Sequence, residues 1–110
     1  METGQQLYEF GDFRLDVRGR ILTRNGETVP VVSRYFDLLI YLVEHNGRVL
    51  GHEEILDHVW AGTIVEQATL KKGISALRQL LEQDPNSSFI KTIPRRGYSF
   101  VAPVRAVDED

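Results

Sequence analysis

One segment, residues 66–82, restricts the possible folds of this chain most, because its apolar residues follow the period of an α-helix. They recur at i, i+4, i+7 and i+11 and would form a single stripe: Leu70, Ile74, Leu77 and Leu81. The opposite face is small, polar and basic, and no acidic residue occurs from residue 67 to residue 81. Most solvated helices of this length mix both signs of charge. The segment therefore predicts a helix with a buried inner face and an outer face suited to an anionic partner.

The net charge of the chain argues against such a partner until its distribution is considered. The whole chain carries −3, whereas nucleic-acid-binding domains are usually basic. Residues 1–66 contain six Lys/Arg and eleven Asp/Glu, residues 67–105 contain seven Lys/Arg and two Asp/Glu, and the last five residues add −3. Residues 67–105 therefore carry +5, and electrostatic steering depends on the local field rather than on the sum. Charges that only keep a surface soluble explain this asymmetry equally well.

The outer face of the helix predicted at 66–82 carries the candidate base-contacting residues. A B-DNA major groove is about 12 Å wide and admits one α-helix. We expect Lys72 and Ser75 to reach base edges, because Lys donates to guanine O6 and N7 and a hydroxyl can donate or accept. Gly73 is unusual, since a mid-helix glycine costs about 1 kcal/mol relative to alanine. It permits close approach either to DNA or to another helix. Thr69 and Ala76 are candidates beside Lys72 and Ser75, and Lys71 is a DNA-binding candidate on the flank of the same face.

Two shorter helices are predicted before this one. The first follows Ser33, which is a suitable N-cap, and stops at Asn46-Gly47. The second covers about residues 52–60 and places Glu53 and Glu54 in its first turn, where carboxylates interact favourably with the helix dipole. The apolar residues of the two segments follow helical spacing: Phe36, Leu39, Ile40 and Val43 in the first, and Ile55, Leu56, Val59 and Trp60 in the second.

Short strands are predicted on both sides of the helices. Residues 7–15 favour one or two strands, and Asn25-Gly26 between two β-prone runs favours a hairpin with a two-residue type I′ turn. Towards the C-terminus, the turn cluster 84–88 ends the third helix, and residues 89–93 and 98–101 form strands joined by a tight turn at 94–97. That turn reads Pro94-Arg95-Arg96-Gly97. A doubled arginine at a rigid tip favours binding over the alternative, a merely solvated hairpin end.

Several classes of protein are disfavoured by what the sequence lacks. There are no cysteines, which excludes disulfides and thiolate metal sites and suits a reducing cytoplasm. No apolar run approaches the roughly 18 residues that span a bilayer, and the first six residues do not resemble a signal peptide. Glu54 and His58 are four residues apart and would fit two ligands of a metal, but a helical ion pair is the simpler expectation. No catalytic motif occurs, so we expect no enzyme, cofactor, metal or small-molecule substrate.

The order of sheet, three helices and C-terminal hairpin resembles the winged helix-turn-helix domain of OmpR/PhoB-type transcriptional regulators, an α+β fold with an N-terminal antiparallel sheet, a three-helix core and a β-hairpin wing. Four segments carry the resemblance: residues 33–39, residues 46–60, residues 70–78 as the recognition helix, and residues 93–100 as a wing similar to that of the ToxR/CadC-like branch. The match covers about residues 7–103. We therefore expect residues 7–104 to form this domain, with a disordered start at 1–6 and an acidic flexible tail at 105–110.

The resemblance implies further roles for individual residues. In this family the recognition helix, 66–82 in this chain, enters the major groove of double-stranded DNA, and the wing tip, residues 94–97, reaches the minor groove or the adjacent phosphates. The matching positions imply a phosphate contact for Arg78, contacts of Arg95 and Arg96 with phosphates or the minor groove, and bonds to the DNA backbone from Thr92 and Tyr98. Trp60 either contacts a phosphate through its indole N–H or is a core aromatic residue.

The resemblance also implies partners and a setting. The loop 61–64 matches a segment that touches RNA polymerase in some relatives, although a plain connector is the simpler interpretation of so short a loop. Family members commonly bind DNA as tandem pairs, which implies a second copy as a partner. Relatives with this type of wing often carry the domain at the N-terminus of a longer regulator, sometimes with a membrane anchor, so we expect a cytoplasmic domain. The alternative is a winged helix used for protein contacts without DNA specificity, which the acidic first half favours.

Overall fold

The computed structural model describes residues 7–82 and 88–107, which divide into two compact units. Of the described residues, 7–31 and 103–107 belong to one unit, and 32–82 and 88–102 belong to the other. The predicted disordered start at 1–6, most of the predicted turn at 84–88 and the end of the predicted tail lie outside the described residues. Within the described part, no helix is long and apolar enough to cross a membrane.

The first unit is a five-stranded antiparallel sheet. Its strands are β1 (Leu7–Phe10), β2 (Phe13–Asp16), β3 (Ile21–Arg24), β4 (Glu27–Val29) and β8 (Arg105–Ala106), in the order β4-β3-β2-β1-β8. Asn25 and Gly26 connect β3 and β4 with φ angles of 51° and 86°, so the predicted type I′ hairpin is confirmed. The alternate residues that point to one face are buried: Phe10, Phe13, Leu15 and Leu22.

The last strand of this sheet differs from the sequence expectation. Arg105 and Ala106, which were assigned to a flexible tail, pair with Glu9 and Tyr8 of β1. The Arg105 guanidinium donates to the Glu9 carboxylate, and Arg14 lies 3.6 Å from the same carboxylate. This hydrogen bond, with the charges of both arginines, lowers the pKa of Glu9. The described chain therefore returns to the N-terminal sheet rather than fraying at residue 105.

The second unit contains three helices and a small sheet. The helices are α1 (Ser33–Glu44), α2 (His52–Val59) and α3 (Gln67–Leu81), so all three predicted helices are confirmed with bounds shifted by one or two residues. The N-cap of α1 is Val32 rather than Ser33. The sheet has the order β5-β7-β6 and consists of β5 (Leu50–Gly51), β6 (Ile90–Ile93) and β7 (Gly97–Phe100). We call the hairpin of β6 and β7 the wing.

The inner face of α3 packs into the core of this unit. Its stripe is almost fully buried, with exposures of 0–2% for Leu70, Ile74, Leu77 and Leu81. Gly73 lies on the same side, and a Cβ atom built there would stand 3.0 Å from Leu38 Cδ2 and 3.4 Å from the ring of Tyr35, both on α1. Of the two roles considered for Gly73, the structure shows close approach of α3 to another helix.

Hydrogen bonds tie the helices to β7 and to one another. The Asn46 side-chain amide donates to the carbonyl oxygens of Phe100 and Ala102 at 2.7 and 2.8 Å, and the Gly47 N–H also donates to Phe100 O. Arg34 of α1 donates to the carbonyl of Val59 at the end of α2, at 2.7 Å. The turn after α1 therefore anchors the strand that leads away from the wing tip.

Candidate nucleic-acid interface

The outer face of α3 is open to solvent where the base-contacting residues were predicted. Lys71, Lys72 and Ser75 are exposed, whereas Thr69 and Ala76 are half-buried beside them. Because the inner stripe holds the helix in place, the outer side chains do not contribute to the core. Five of the six predicted α3 residues therefore lie on the accessible, basic side of the helix, and the sixth, Arg78, is half-buried near its C-terminal end.

The wing tip places two exposed arginines on a tight turn. The Arg96 N–H donates to the Ile93 carbonyl at 3.0 Å, which closes a four-residue turn with Pro94 at its second position. Arg95 at the third position has a φ of 66°. Pro followed by a residue of positive φ is the pattern of a type II turn, which normally uses glycine or asparagine there. An arginine in this conformation costs about 1–2 kcal/mol, so its side chain occupies a position that stability alone does not favour.

The residue after the tip fixes the wing against a strand that sequence reasoning missed. Gly97 starts β7 and pairs with Gly51 of β5. A Cβ atom at Gly97 would lie 1.9 Å from the carbonyl oxygen of Leu50, and its φ of 156° is also rare for other residues. Two residues are too few to give a strand pattern, and the glycine at the end of the predicted turn was the available signal.

Arg78 and Thr92 lie together, although both were assigned to DNA. The Nη2 atom of Arg78 donates to Thr92 Oγ1 at 2.8 Å and to the Ile90 carbonyl at 3.0 Å. Arg78 is half-buried and Thr92 is exposed. A phosphate contact by Arg78 would therefore use the remaining N–H groups of its guanidinium. Sequence reasoning placed these two residues on one interface but did not foresee their contact.

Two aromatic candidates are largely internal. Tyr98 is 5% exposed, and its ring meets that of His52 edge-on at a centroid distance of 5.6 Å. Trp60 is 7% exposed, which agrees with the core role considered for it. Neither ring projects from the surface as Arg95 and Arg96 do. A bond from Tyr98 to DNA would have to be made by the small part of its side chain that reaches solvent.

The carboxylate considered as a metal ligand has other partners. Glu54 accepts hydrogen bonds from the Gly51 N–H, from the Tyr41 hydroxyl and from Arg48, the last at 2.6 Å. These contacts, the Gly51 N–H first, lower the pKa of Glu54, while burial and the nearby Glu54 charge raise the pKa of Tyr41. The His58 ring lies against Tyr41 at 4.3 Å, so the ion pair expected between Glu54 and His58 is not the arrangement observed. Among the described residues, no group of three or more His, Asp or Glu is placed to hold a metal ion.

Three helices followed by a β-hairpin, with a solvent-exposed basic face on the third helix, define the class of winged helix-turn-helix domains. Residues 26–100 match the family model "Transcriptional regulatory protein, C terminal", and the chain belongs to this family. It is of the OmpR/PhoB type, so the expected family and α+β fold are confirmed.

Known proteins of this family align with nearly the whole chain. The chain is 36% identical over 102 residues to the transcriptional activator CadC of Escherichia coli, a match that covers 91% of this chain and 20% of that protein. The structure of the E. coli CadC DNA-binding domain has a TM-score of 0.83 at 31% identity and covers 96% of this chain and 100% of that one. The Klebsiella pneumoniae RstA DNA-binding domain, solved in complex with the RstA box, has a TM-score of 0.76 at 26% identity and covers 87% and 97%. The chain thus spans about a fifth of the length of CadC.

Proposed function

We propose that this chain binds double-stranded DNA sequence-specifically, as the DNA-binding domain of a bacterial transcriptional regulator. The observation that carries the proposal is the joint exposure of two basic features, the outer face of α3 and the doubled arginine of the wing tip. The RstA domain, which shares the fold, was solved in complex with the RstA box. The costly turn conformation of Arg95 supports a binding role for its side chain.

In this proposal α3 lies in the major groove and chooses the sequence. Lys72 and Ser75 are exposed on the side opposite the buried stripe, and they contact base edges. Thr69 and Ala76 lie beside them, where a hydroxyl or a methyl group can meet thymine or a phosphate. Lys71 is on the flank of the same surface and contacts the backbone.

The wing contributes to DNA affinity but discriminates among sequences less strongly than α3 does. Arg95 and Arg96 present planar, permanently charged groups to phosphates or to a narrow minor groove. Arg78, Thr92 and Tyr98 contribute backbone contacts at the base of the wing. With contacts to about four phosphates, log affinity falls with log salt at a slope near −3.6, from about −0.9 per phosphate.

The test measures salt dependence and sequence selection with the whole chain. Binding to duplex DNA is titrated at several salt concentrations, and preferred sites are selected from random DNA. If the wing mainly holds phosphates, Arg95→Ala with Arg96→Ala weakens binding to all sequences alike, whereas Lys72→Ala or Ser75→Ala changes which sequence is preferred. Lys71→Ala is the matched control, because it removes the same charge one residue away and leaves the preferred sequence unchanged. Salt-independent binding, or unchanged selected sites in the Lys72 and Ser75 variants, contradicts the proposal.

The setting of this activity is part of the proposal. We infer that the chain is one domain of a longer regulator, because it matches only 20% of CadC, and that it lies in the cytoplasm, where bacterial DNA is found. With +5 over residues 67–105 a single copy binds weakly, so a second copy on an adjacent site supplies the remaining affinity. The loop 61–64 is exposed and its Ile64 is fully solvent-accessible, which leaves it available to RNA polymerase. DNA carrying two sites rather than one is expected to bind two copies cooperatively in sedimentation measurements, and independent binding contradicts the tandem arrangement.

A further inference from the structure

The C-terminal part of α3 holds the first strand of the wing through two side chains, Arg78 and Glu82. We propose that Arg78 and Glu82 form a clasp between α3 and β6. This clasp holds the wing tip at a fixed position relative to α3, so that both contact DNA as one rigid unit. Arg78 and Glu82 are positioning residues in this role. The inference rests on the proposed DNA-binding function and deepens it, because it assigns Glu82 a role that the sequence did not indicate and adds a second role to Arg78.

Glu82 supplies the acceptor half of the clasp. Its Oε2 atom accepts hydrogen bonds from the backbone N–H groups of Phe89 and Ile90, both at 2.8 Å. A carboxylate that receives two backbone N–H groups makes charge-assisted bonds, which are stronger than bonds between neutral groups. Glu82 is the C-cap of α3, so these bonds join the end of the helix directly to the start of β6.

Arg78, one turn earlier, supplies the donor half. It donates to the Ile90 carbonyl and to the Thr92 hydroxyl. Val101 N–H donates to Phe89 O across the wing, and hydrogen-bonded pairs alternate along an antiparallel ladder. The N–H and C=O of Ile90 therefore both point away from β7, towards α3. The clasp fills these two edge positions, one with Glu82 and the other with Arg78.

The clasp matters for DNA binding because of what it connects. Thr92 is three residues before Arg95 along the chain, and Arg78 is three residues after Ser75. A wing held at a defined distance from α3 loses less conformational entropy when it meets DNA, which raises affinity without adding a contact. A loosened wing keeps both arginines but reaches the DNA at a larger entropic cost.

Two possible effects of removing the Glu82 carboxylate change DNA affinity in opposite directions. Removing a negative charge beside DNA should tighten binding if only electrostatics matters. Loosening of the clasp should instead weaken DNA binding. We expect Glu82→Ala to reduce affinity for the selected site roughly five- to tenfold, and Glu82→Gln, which keeps an acceptor but loses the charge, roughly two- to threefold. Glu53→Gln removes an equal charge from the exposed face of α2 and is the matched control, with affinity unchanged or slightly tighter.

A double-mutant cycle separates positioning from direct contact. Each clasp variant is also measured in a background that carries Arg95→Ala and Arg96→Ala. This background lacks the two guanidinium groups that the clasp would position. We expect the Glu82→Ala effect to fall below about twofold in that background. Any loss of affinity that Arg78→Ala still causes in that background measures its direct phosphate contact. Removal of this contact should also make the salt slope shallower by about 0.9. The additional loss of affinity in the wild-type background measures positioning.

A structural readout keeps the proposal testable independently of affinity. NMR relaxation of the backbone amides of Arg95 and Arg96 is measured on free protein that remains folded. We expect the mobility of these amides to increase in Glu82→Ala and Arg78→Ala and to stay unchanged in Glu53→Gln. If Glu82→Ala does not fold, Glu82→Gln is used for all measurements. Equal or tighter DNA binding by the Glu82 variants, equal losses in both backgrounds, or an unchanged wing tip overturns the clasp. Absence of duplex binding by the unmodified chain overturns the proposed function instead, and the relaxation data still decide whether the clasp orders the tip.

Discussion

The two basic surfaces of this domain are built in opposite ways. The outer face of α3 has an ordinary helical backbone that is held by a buried stripe on its other side, so Lys72 and Ser75 contribute little to folding. The wing tip depends on its own backbone, with Arg95 at positive φ and Gly97 in contact distance of β5. Substitutions on the outer face of α3 can therefore change the preferred DNA sequence without loss of stability, whereas substitutions that change the turn of the wing also affect the fold.

The strongest test of this comparison is Gly97→Ala. A methyl group 1.9 Å from the Leu50 carbonyl oxygen cannot be accommodated without moving β5 or β7, so we expect a loss of about 3 kcal/mol or more in the free energy of unfolding. Gly62→Ala is the matched control, because Gly62 also has a positive φ, of 77°, but nothing lies within 4 Å of the added Cβ. It should cost only about 1 kcal/mol. Equal losses by chemical denaturation would show that the wing needs Gly97 only for its φ angle.

Features that depend on local chemistry could be predicted from the sequence. The stripe from Leu70 to Leu81 predicted α3 because the helical period is a property of neighbouring residues. Asn25-Gly26 predicted its hairpin because few residues adopt the positive φ angles of that turn. The hairpin around Pro94 was predicted on similar grounds, and the exposure of Lys72, Ser75 and the two wing arginines followed from these elements.

Features that depend on distant partners could not be predicted in this way. The two residues of β5 form a strand only because β7 lies beside them, and β8 exists only because β1 offers an edge. Gly73 suggested a close approach, but whether to DNA or to a helix depended on where Leu38 lies. No local pattern indicated the contacts of Glu82, since its two partners lie seven and eight residues further along the chain.

Gly73→Ala tests the one backbone constraint within α3. Alanine gains about 1 kcal/mol in helix propensity, but its Cβ would press on Leu38, which is fully buried and cannot easily move. Overpacking of a core costs about 1–3 kcal/mol, so we expect the net loss in stability to lie between about 0 and 2 kcal/mol, with no change in preferred DNA sequence. In a Leu38→Val background, which removes the crowding methyl group, the same substitution should become stabilising. A changed DNA preference would place Gly73 at the DNA surface and blur the distinction between the two faces of α3.

Arg95→Asn should separate binding from stability at the wing tip. Asparagine tolerates positive φ better than arginine, so we expect the free energy of unfolding to rise by a few tenths of a kcal/mol. Loss of the guanidinium should weaken DNA binding roughly fivefold and make the salt slope shallower by about 0.9. Arg96→Asn is the control, because no positive φ is found at Arg96, and it should lose affinity without gaining stability. Arg95→Asn that is less stable than the parent would mean that the arginine side chain supports the turn.

The smallest expected effect is a pH dependence of the stability that Glu54 contributes at β5, the strand against which the wing pairs. Glu54 accepts the N–H of Gly51, the residue of β5 that pairs with Gly97, and this bond is the main cause of its lowered pKa. A carboxyl group whose pKa is lower in the folded state than in the unfolded state stabilises the fold above its unfolded pKa, near 4.3. That stabilisation is lost as the pH falls through the lower pKa of the folded state.

We therefore expect the stability difference between the parent and Glu54→Gln to be full above about pH 5 and to shrink steadily below about pH 4. It should amount to a fraction of 1 kcal/mol, since the Glu54 side chain is 32% exposed and solvent screens its bond to Arg48. Hydrogen exchange at low pH should then rise first at β5 and β7, while the amides of α3 stay protected. A difference that is constant from pH 7 to pH 3, or exchange that rises equally in α3, would show that the wing and the helix are supported by the same contacts, and the contrast between them would not hold.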